Sequence, residues 1–218
     1  MSDKNKKILI TGFEAYGGRA GNPSAEIATA LDNVTINNAV VRGVVLPVVN
    51  HHLQATVQDL LHKENPTAVI ALGLCPGEAM IRLERLAANY SSFNIPDNAG
   101  EQYTGPVVEG APAAYESTLP LQLIKCTLLA AGIPARESAT AGTYLCNAIM
   151  FSLLHQIATE QRDCPCGFVH LPLMPSQVCN LVSGNQSVID SHHQNSMASM
   201  ALEMQQRAVE MVVELIQR

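Results

Sequence analysis

Residues 67–74, Thr-Ala-Val-Ile-Ala-Leu-Gly-Leu, form an almost unbroken apolar run. A strand open to water on one side alternates apolar and polar residues, so this run reads as a strand buried on both faces of its sheet. Such a strand needs helices above and below it. The neighbouring segments supply them: residues 51–63 place Leu53, Val57, Leu60 and Leu61 at the spacing of one helix face, and Pro66 closes that helix.

The same alternation runs through the chain. Residues 6–12 read as a short buried strand, followed by a glycine-rich loop and a helix with Asn22 as N-cap and Pro23 at its first position. Residues 40–48 and 79–87 read as strands, 119–132 as a helix ended by Gly132, 135–142 as a strand and turn, 143–161 as a helix, and 167–175 as a strand stopped by Pro172. A last amphipathic helix is expected from about Ser196, with Met200, Met204, Ala208, Met211 and Leu215 on its inner face. Residues 94–115, rich in Pro, Gly, Asn and Asp, read as a long functional or disordered loop. The order β-α-β-α-β-β-α-β-α-β-α implies a single α/β domain over residues 1–218. Its central sheet would be mostly parallel or mixed and flanked by helices, as in phosphorylase and hydrolase folds. In such sheets the loops at the carboxyl ends of strands build the site. Residues 12–21, 73–77, 141–146 and 170–175 are turns of that type.

Composition narrows the function. With 218 residues, 47% hydrophobic and 15% charged, the chain can bury a full core. A net charge of -6, no tryptophan and 4% aromatic residues argue against nucleic-acid and membrane partners. The N-terminal apolar run, Ile8 to Ile10, is too short for a signal-peptide core or a membrane span, so a cytosolic protein is expected. The six cysteines then read as free thiols.

One of them, Cys146, falls where an Ala-Gly turn gives way to an apolar helix. A thiol in a helix's first turn faces unpaired N–H groups and the positive end of the macrodipole, which favour thiolate and make it a candidate nucleophile. The ordinary alternative is a small buried hydrophobe. His170, at the end of a strand, is a candidate base or else a hydrogen-bonded core histidine. Glu84, in the strand segment IRLERLA, could orient that histidine or pair with Arg82 or Arg85. Periodicity alone does not bring the three together.

The blocks TGFEAYGGRAGNPSAE, GLCPGEAMIRLERLAANYSSFNIPDNAG, SATAGTYLCNAIMF and GFVHLPLMPSQ resemble, in order and spacing, the signature blocks of the pyroglutamyl peptidase type I (pyrrolidone-carboxylate peptidase) family. The resemblance implies a cytosolic cysteine peptidase, often homotetrameric, that removes N-terminal pyroglutamate (5-oxoproline) from peptides without a cofactor or metal. Carried over by motif, Cys146 is the nucleophile, His170 the base and Glu84 the orienting carboxylate. Phe13, Tyr16 and Tyr144 would line the pocket for the pyroglutamyl ring, and Leu74 would offer backbone contacts. The family commonly has arginine near the oxyanion where this chain has Asn94. Weaker transition-state stabilisation follows unless Arg82 or Arg85 substitutes, and a family member that survives as a pyroglutamyl-peptide binding protein is the alternative.

Two further readings stand beside these. Cys164, Cys166, His170 and Cys179 form a C-x-C-x₃-H-x₈-C array that could hold structural zinc. The glycine-rich loop at residues 11–21 could cradle an anion, as in a nucleoside phosphorylase.

Overall fold

The computed structural model describes residues 6–184 and 198–217. The elements run β1 (Lys6–Phe13), α1 (Pro23–Leu31), β2 (Thr35–Ile36), β3 (Ala39–Leu46), α2 (Leu53–Glu64), β4 (Ala68–Leu74), β5 (Ile81–Ala88), β6 (Ser91–Ser92), β7 (Thr104–Gly105), β8 (Ala114–Glu116), α3 (Leu121–Ala130), β9 (Ala135–Thr140), α4 (Leu145–Thr159), β10 (Cys166–Leu171), α5 (Pro175–Val182) and α6 (Leu202–Ile216). Among the described residues the main sheet has eight strands in the order β2-β3-β1-β4-β10-β5-β8, with β9 also paired to β5. The pairs β3–β1, β1–β4, β4–β10 and β5–β9 are parallel, whereas β5 runs antiparallel to β10 and β8. This is the mixed α/β sheet expected.

Every residue of β4 is buried. Ala68, Ile70 and Leu72 join a core formed with α1, α3 and α6, while Val69 and Ala71 join a second core with α2 and α4. The uninterrupted apolar run therefore has its physical cause in two covered faces. At the start of α1 the Asn22 side chain accepts the Ser24 N–H at 3.1 Å, with Pro23 at the first turn, and this cap lays the helix back onto β1.

Five short elements depart from the expectation, the first being β2, which pairs with the start of β3. β6 and β7 form a two-residue ribbon, and β7 and the start of β8 lie within the stretch read as one long loop. Buried Asp97 orders its first part: Oδ1 accepts the N–H groups of Ala99 and Glu101, and Oδ2 accepts that of Asn50. α5 follows the strand stopped by Pro172, where no helix was anticipated. Ser196 lies outside the described residues, and α6 begins at Leu202. Met200 precedes it, buried and hydrogen-bonded through its N–H to Leu173 O at 2.9 Å, and Met204 is exposed. Ala208, Met211 and Leu215 are buried as expected. No helix among the described residues is long and apolar enough to cross a membrane.

Candidate active site

Strand register selects the side chains that share the α4 face of the sheet. His170 on β10 lies opposite Gly73 on β4 and Arg82 on β5, and Phe168 lies opposite Glu84. On its other side Glu84 pairs with Ser138 of β9. Residues in register point to one face, so Gly73, Arg82, Glu84, Phe168, His170 and Ser138 form a contiguous patch. β5 is flanked on both sides at Glu84, which explains how a carboxylate comes to be fully buried there.

His170 Nδ1 lies 2.7 Å from Glu84 Oε1, with the imidazole 5% exposed. An ionised carboxylate only accepts, so this contact puts the proton on Nδ1 and leaves Nε2 as the ring's acceptor. The same Oε1 lies 3.0 Å from Arg82 Nη2. Of the two arginines weighed as partners of Glu84, Arg82 is the one present. Arg85 turns away to Glu116 and Glu137.

Cys146 is the second residue of α4. A turn containing Gly142, at φ 85°, leads into the helix, and Thr143 anchors it: Oγ1 donates to Ser92 O at 3.0 Å, and Thr143 O accepts the Ser92 N–H at 2.9 Å. The thiol packs against β4 where a side chain is missing, since a Cβ on Gly73 would meet Cys146 Sγ at 2.8 Å and Phe168 Cζ at 2.6 Å. Burial pushes the Cys146 thiol well above its usual range, outweighing Arg82 and the helix's first-turn amide. Helix position alone favours thiolate, whereas in the folded protein desolvation opposes it.

Cys146 and His170 open into one cleft of about 390 Å³, whose walls include Tyr16, Leu74, Arg82, Asn94 and Tyr144. Phe13 is not part of that wall. It is 4% exposed and lines a small adjoining recess with Tyr16, Leu74, Tyr144 and Cys146. The hydroxyls of both tyrosines find carbonyls: Tyr144 donates to Pro96 O at 3.1 Å and Tyr16 to Leu74 O at 3.5 Å. Phe93, not singled out from the sequence, backs Tyr144 with ring centroids 4.6 Å apart. Asn94 is exposed at the cleft.

The zinc array is not brought together. Cys166 is buried at the far end of β10 from His170, Cys179 is exposed on α5, and His170 is engaged by Glu84. No three His, Cys, Asp or Glu side chains among the described residues group to hold a metal. The sequence places Gly73 in a site-building turn but gives no sign of what its missing side chain makes room for, and the clasp around Arg82 is not foreseen, although the i, i+2 spacing of Arg82 and Glu84 on one strand is a signal for a shared face.

Comparison with known proteins agrees with this geometry. The family model described as pyroglutamyl peptidase matches residues 6–218. Pyrrolidone-carboxylate peptidase of Pyrococcus furiosus is 40% identical over 210 residues, covering 96% of this chain and 97% of that protein. A crystal structure of the Pyrococcus furiosus pyrrolidone carboxyl peptidase superposes with a TM-score of 0.88 at 40% identity, covering 96% and 97% of the two chains. That of Thermococcus litoralis gives 0.87 at 41%, covering 96% and 92%.

Proposed function

The chain belongs to the pyroglutamyl peptidase family, cysteine peptidases that remove N-terminal pyroglutamate, and on that premise we propose that it performs this hydrolysis through Cys146, His170 and Glu84. The observation that carries the assignment is the 2.7 Å contact between His170 Nδ1 and a fully buried Glu84, in the cleft that also holds a helix-start cysteine. Glu84 holds the imidazole with Nε2 unprotonated. His170 takes the Cys146 proton as sulfur attacks the pyroglutamyl carbonyl, and the imidazolium then protonates the departing amine. Water hydrolyses the thioester in a second half-reaction. Coupling deprotonation to attack suits a thiol whose burial disfavours a resting anion.

Tyr16 and Tyr144, with Leu74 between them, are the proposed walls for the flat lactam, and Phe13 supports them from behind. The Cys146 backbone N–H is the proposed oxyanion donor, with Asn94 supplying at most a neutral amide from the rim. The natural substrates in this reading are pyroglutamyl peptides, met in the cytosol by a homo-oligomer of this chain. All six cysteines are free, consistent with a reducing compartment.

The test is hydrolysis of a pyroglutamyl chromogenic amide. Wild type is expected to turn it over, and Cys146→Ser to lose on the order of 10⁴–10⁶-fold in kcat, the scale of losing a covalent nucleophile. A folded, reduced wild type that is inert defeats the peptidase reading, and equal activity of the two proteins defeats the nucleophile.

A further inference from the structure

Glu84 is fully buried, yet a neutral imidazole is a weak counterweight to its charge. Its Oε2 has no hydrogen-bond partner among the described residues, and Oε1 is shared between His170 Nδ1 and Arg82 Nη2. Arg82 thus supplies a full positive charge in contact with this carboxylate. Its fork is clasped on several sides: Nη2 donates to Ser138 Oγ at 2.8 Å and Thr140 O at 3.1 Å, Nη1 reaches Cys75 Sγ at 3.3 Å, and Nε lies 3.7 Å from Glu78 Oε2. Glu78 is itself paired with Arg136 at 2.5 Å. The groups around His170 are therefore Glu84 and Arg82 from β5, Cys146 from α4, Cys75 and Glu78 from the turn after β4, and Arg136 from β9, with Tyr16 and Tyr144 across the cleft. The two arginines balance the two carboxylates.

We propose that Arg82 is a positioning residue for the hydrolysis: it holds Glu84 as an ionised acceptor while leaving His170 neutral and able to act as base. This rests on the assignment of Cys146, His170 and Glu84 above. Without the guanidinium, a buried carboxylate next to an imidazole has two ways to lose its uncompensated charge. It can bind a proton itself, and then it no longer fixes the proton on Nδ1. Alternatively it can favour the imidazolium, and a protonated ring cannot accept the thiol proton. Both routes reduce the working fraction of enzyme, and the second extends the inactive, acid form to higher pH. The clasp by Ser138 and Thr140 fixes where the charge sits, which a lysine, with its compact ammonium, cannot reproduce.

The experiment compares wild type, Arg82→Gln and Arg82→Lys by kcat and KM across pH on a pyroglutamyl amide. ¹⁵N NMR of the histidine rings is run in parallel, with the His170 signals identified by their loss in His170→Asn. In R82Q, kcat is expected to fall about 10-fold or more, a share of the ~10²–10⁴ that a positioned base contributes. KM should change little. The acid limb should move up by about one pH unit, the low end of the ~1–3 units an adjacent charge produces. The His170 ring should be charged at a pH where wild type is neutral. R82K keeps the charge and loses the fork: its limb stays in place while kcat falls less than in R82Q, and it carries the test if R82Q does not fold. An unmoved limb and ring signal in R82Q, with only a lower melting temperature, overturn the proposal and leave Arg82 a structural ion pair. A limb that moves in R82K, or an R82K kcat equal to wild type, also overturns it. Ring charge is read without turnover, so an inert wild type defeats the triad assignment separately from the Arg82 claim.

Discussion

Gly73 shows how one missing side chain organises the site. It is the register partner of His170, and the space where its Cβ would stand is taken by Cys146 Sγ and the edge of Phe168. The proposed nucleophile and base thus meet β4 at one position. Gly73→Ala places a carbon 2.8 Å from sulfur and 2.6 Å from the Phe168 ring, closer than real contacts allow. α4 is held at its first turn and Phe168 is fully buried, so neither neighbour yields freely. Overpacking of this kind costs about 1–3 kcal/mol. Displacing a reacting atom by about 1 Å costs ~10²-fold in rate. The expected outcome is a folded protein with a lower melting temperature and a kcat down on the order of 10²-fold. Wild-type kcat in G73A would show that sulfur does not occupy this space during turnover.

At the scale of elements, α4 must be fixed in rotation for its second residue to face the sheet. Asn147 does this: fully buried, it accepts the Ala88 N–H at 2.8 Å and donates to Ala88 O at 2.9 Å and Tyr90 O at 3.0 Å. These three bonds tie the helix's first turn to the end of β5, the strand that carries Glu84 and Arg82. Asn147→Ala strands those backbone groups, a loss of about 1–3 kcal/mol for the unsatisfied set. It should also lower peptidase activity well below the melting temperature, because Cys146 is the adjacent residue. Chemical denaturation with an activity assay on the same sample checks both, and full activity in a destabilised protein would mean that α4 is oriented by its apolar face alone. Here sequence reading met a physical limit. β4, α2 and the core of α4 were legible because burial imposes a period on many residues, and the Asn22 cap because its chemistry is local. Two-residue strands such as β6 and β7 have no period to read, and Asn147 inside an apolar helix looks like any polar interruption until its partners, 57 and 59 residues away, are known. The meeting of Glu84, Cys146 and His170 depends on register and crossover, which the resemblance supplied and the residue pattern did not.

For the molecule as a whole, covering the sheet on both faces buries thiols as well as aliphatic side chains. Cys166 is fully buried in β10 and Cys164 lies just before it at 5% exposure. Burial pushes Cys164 from an ordinary value near 9 up to about 11, and pushes Cys166 and Cys146 upward too. The unfolded chain releases these protons near the ordinary thiol value while the folded chain keeps them. Above that pH the folded state binds more protons than the unfolded state, and stability falls as pH rises. The contribution is complete below about pH 8, before the unfolded thiols begin to ionise, and is lost through the window up to the folded values. The melting temperature should therefore decline between pH 8 and 11, by roughly 2–4 °C for each kcal/mol lost in a chain of this size. Cys164→Ala, which removes one of these groups with a small loss of packing, should start lower and decline less steeply. Calorimetry of both proteins across that range decides the matter: parallel curves would mean that the buried thiol does not contribute to the alkaline slope, and a flat wild-type curve would mean that the thiols titrate in the folded state much as they do in the unfolded chain.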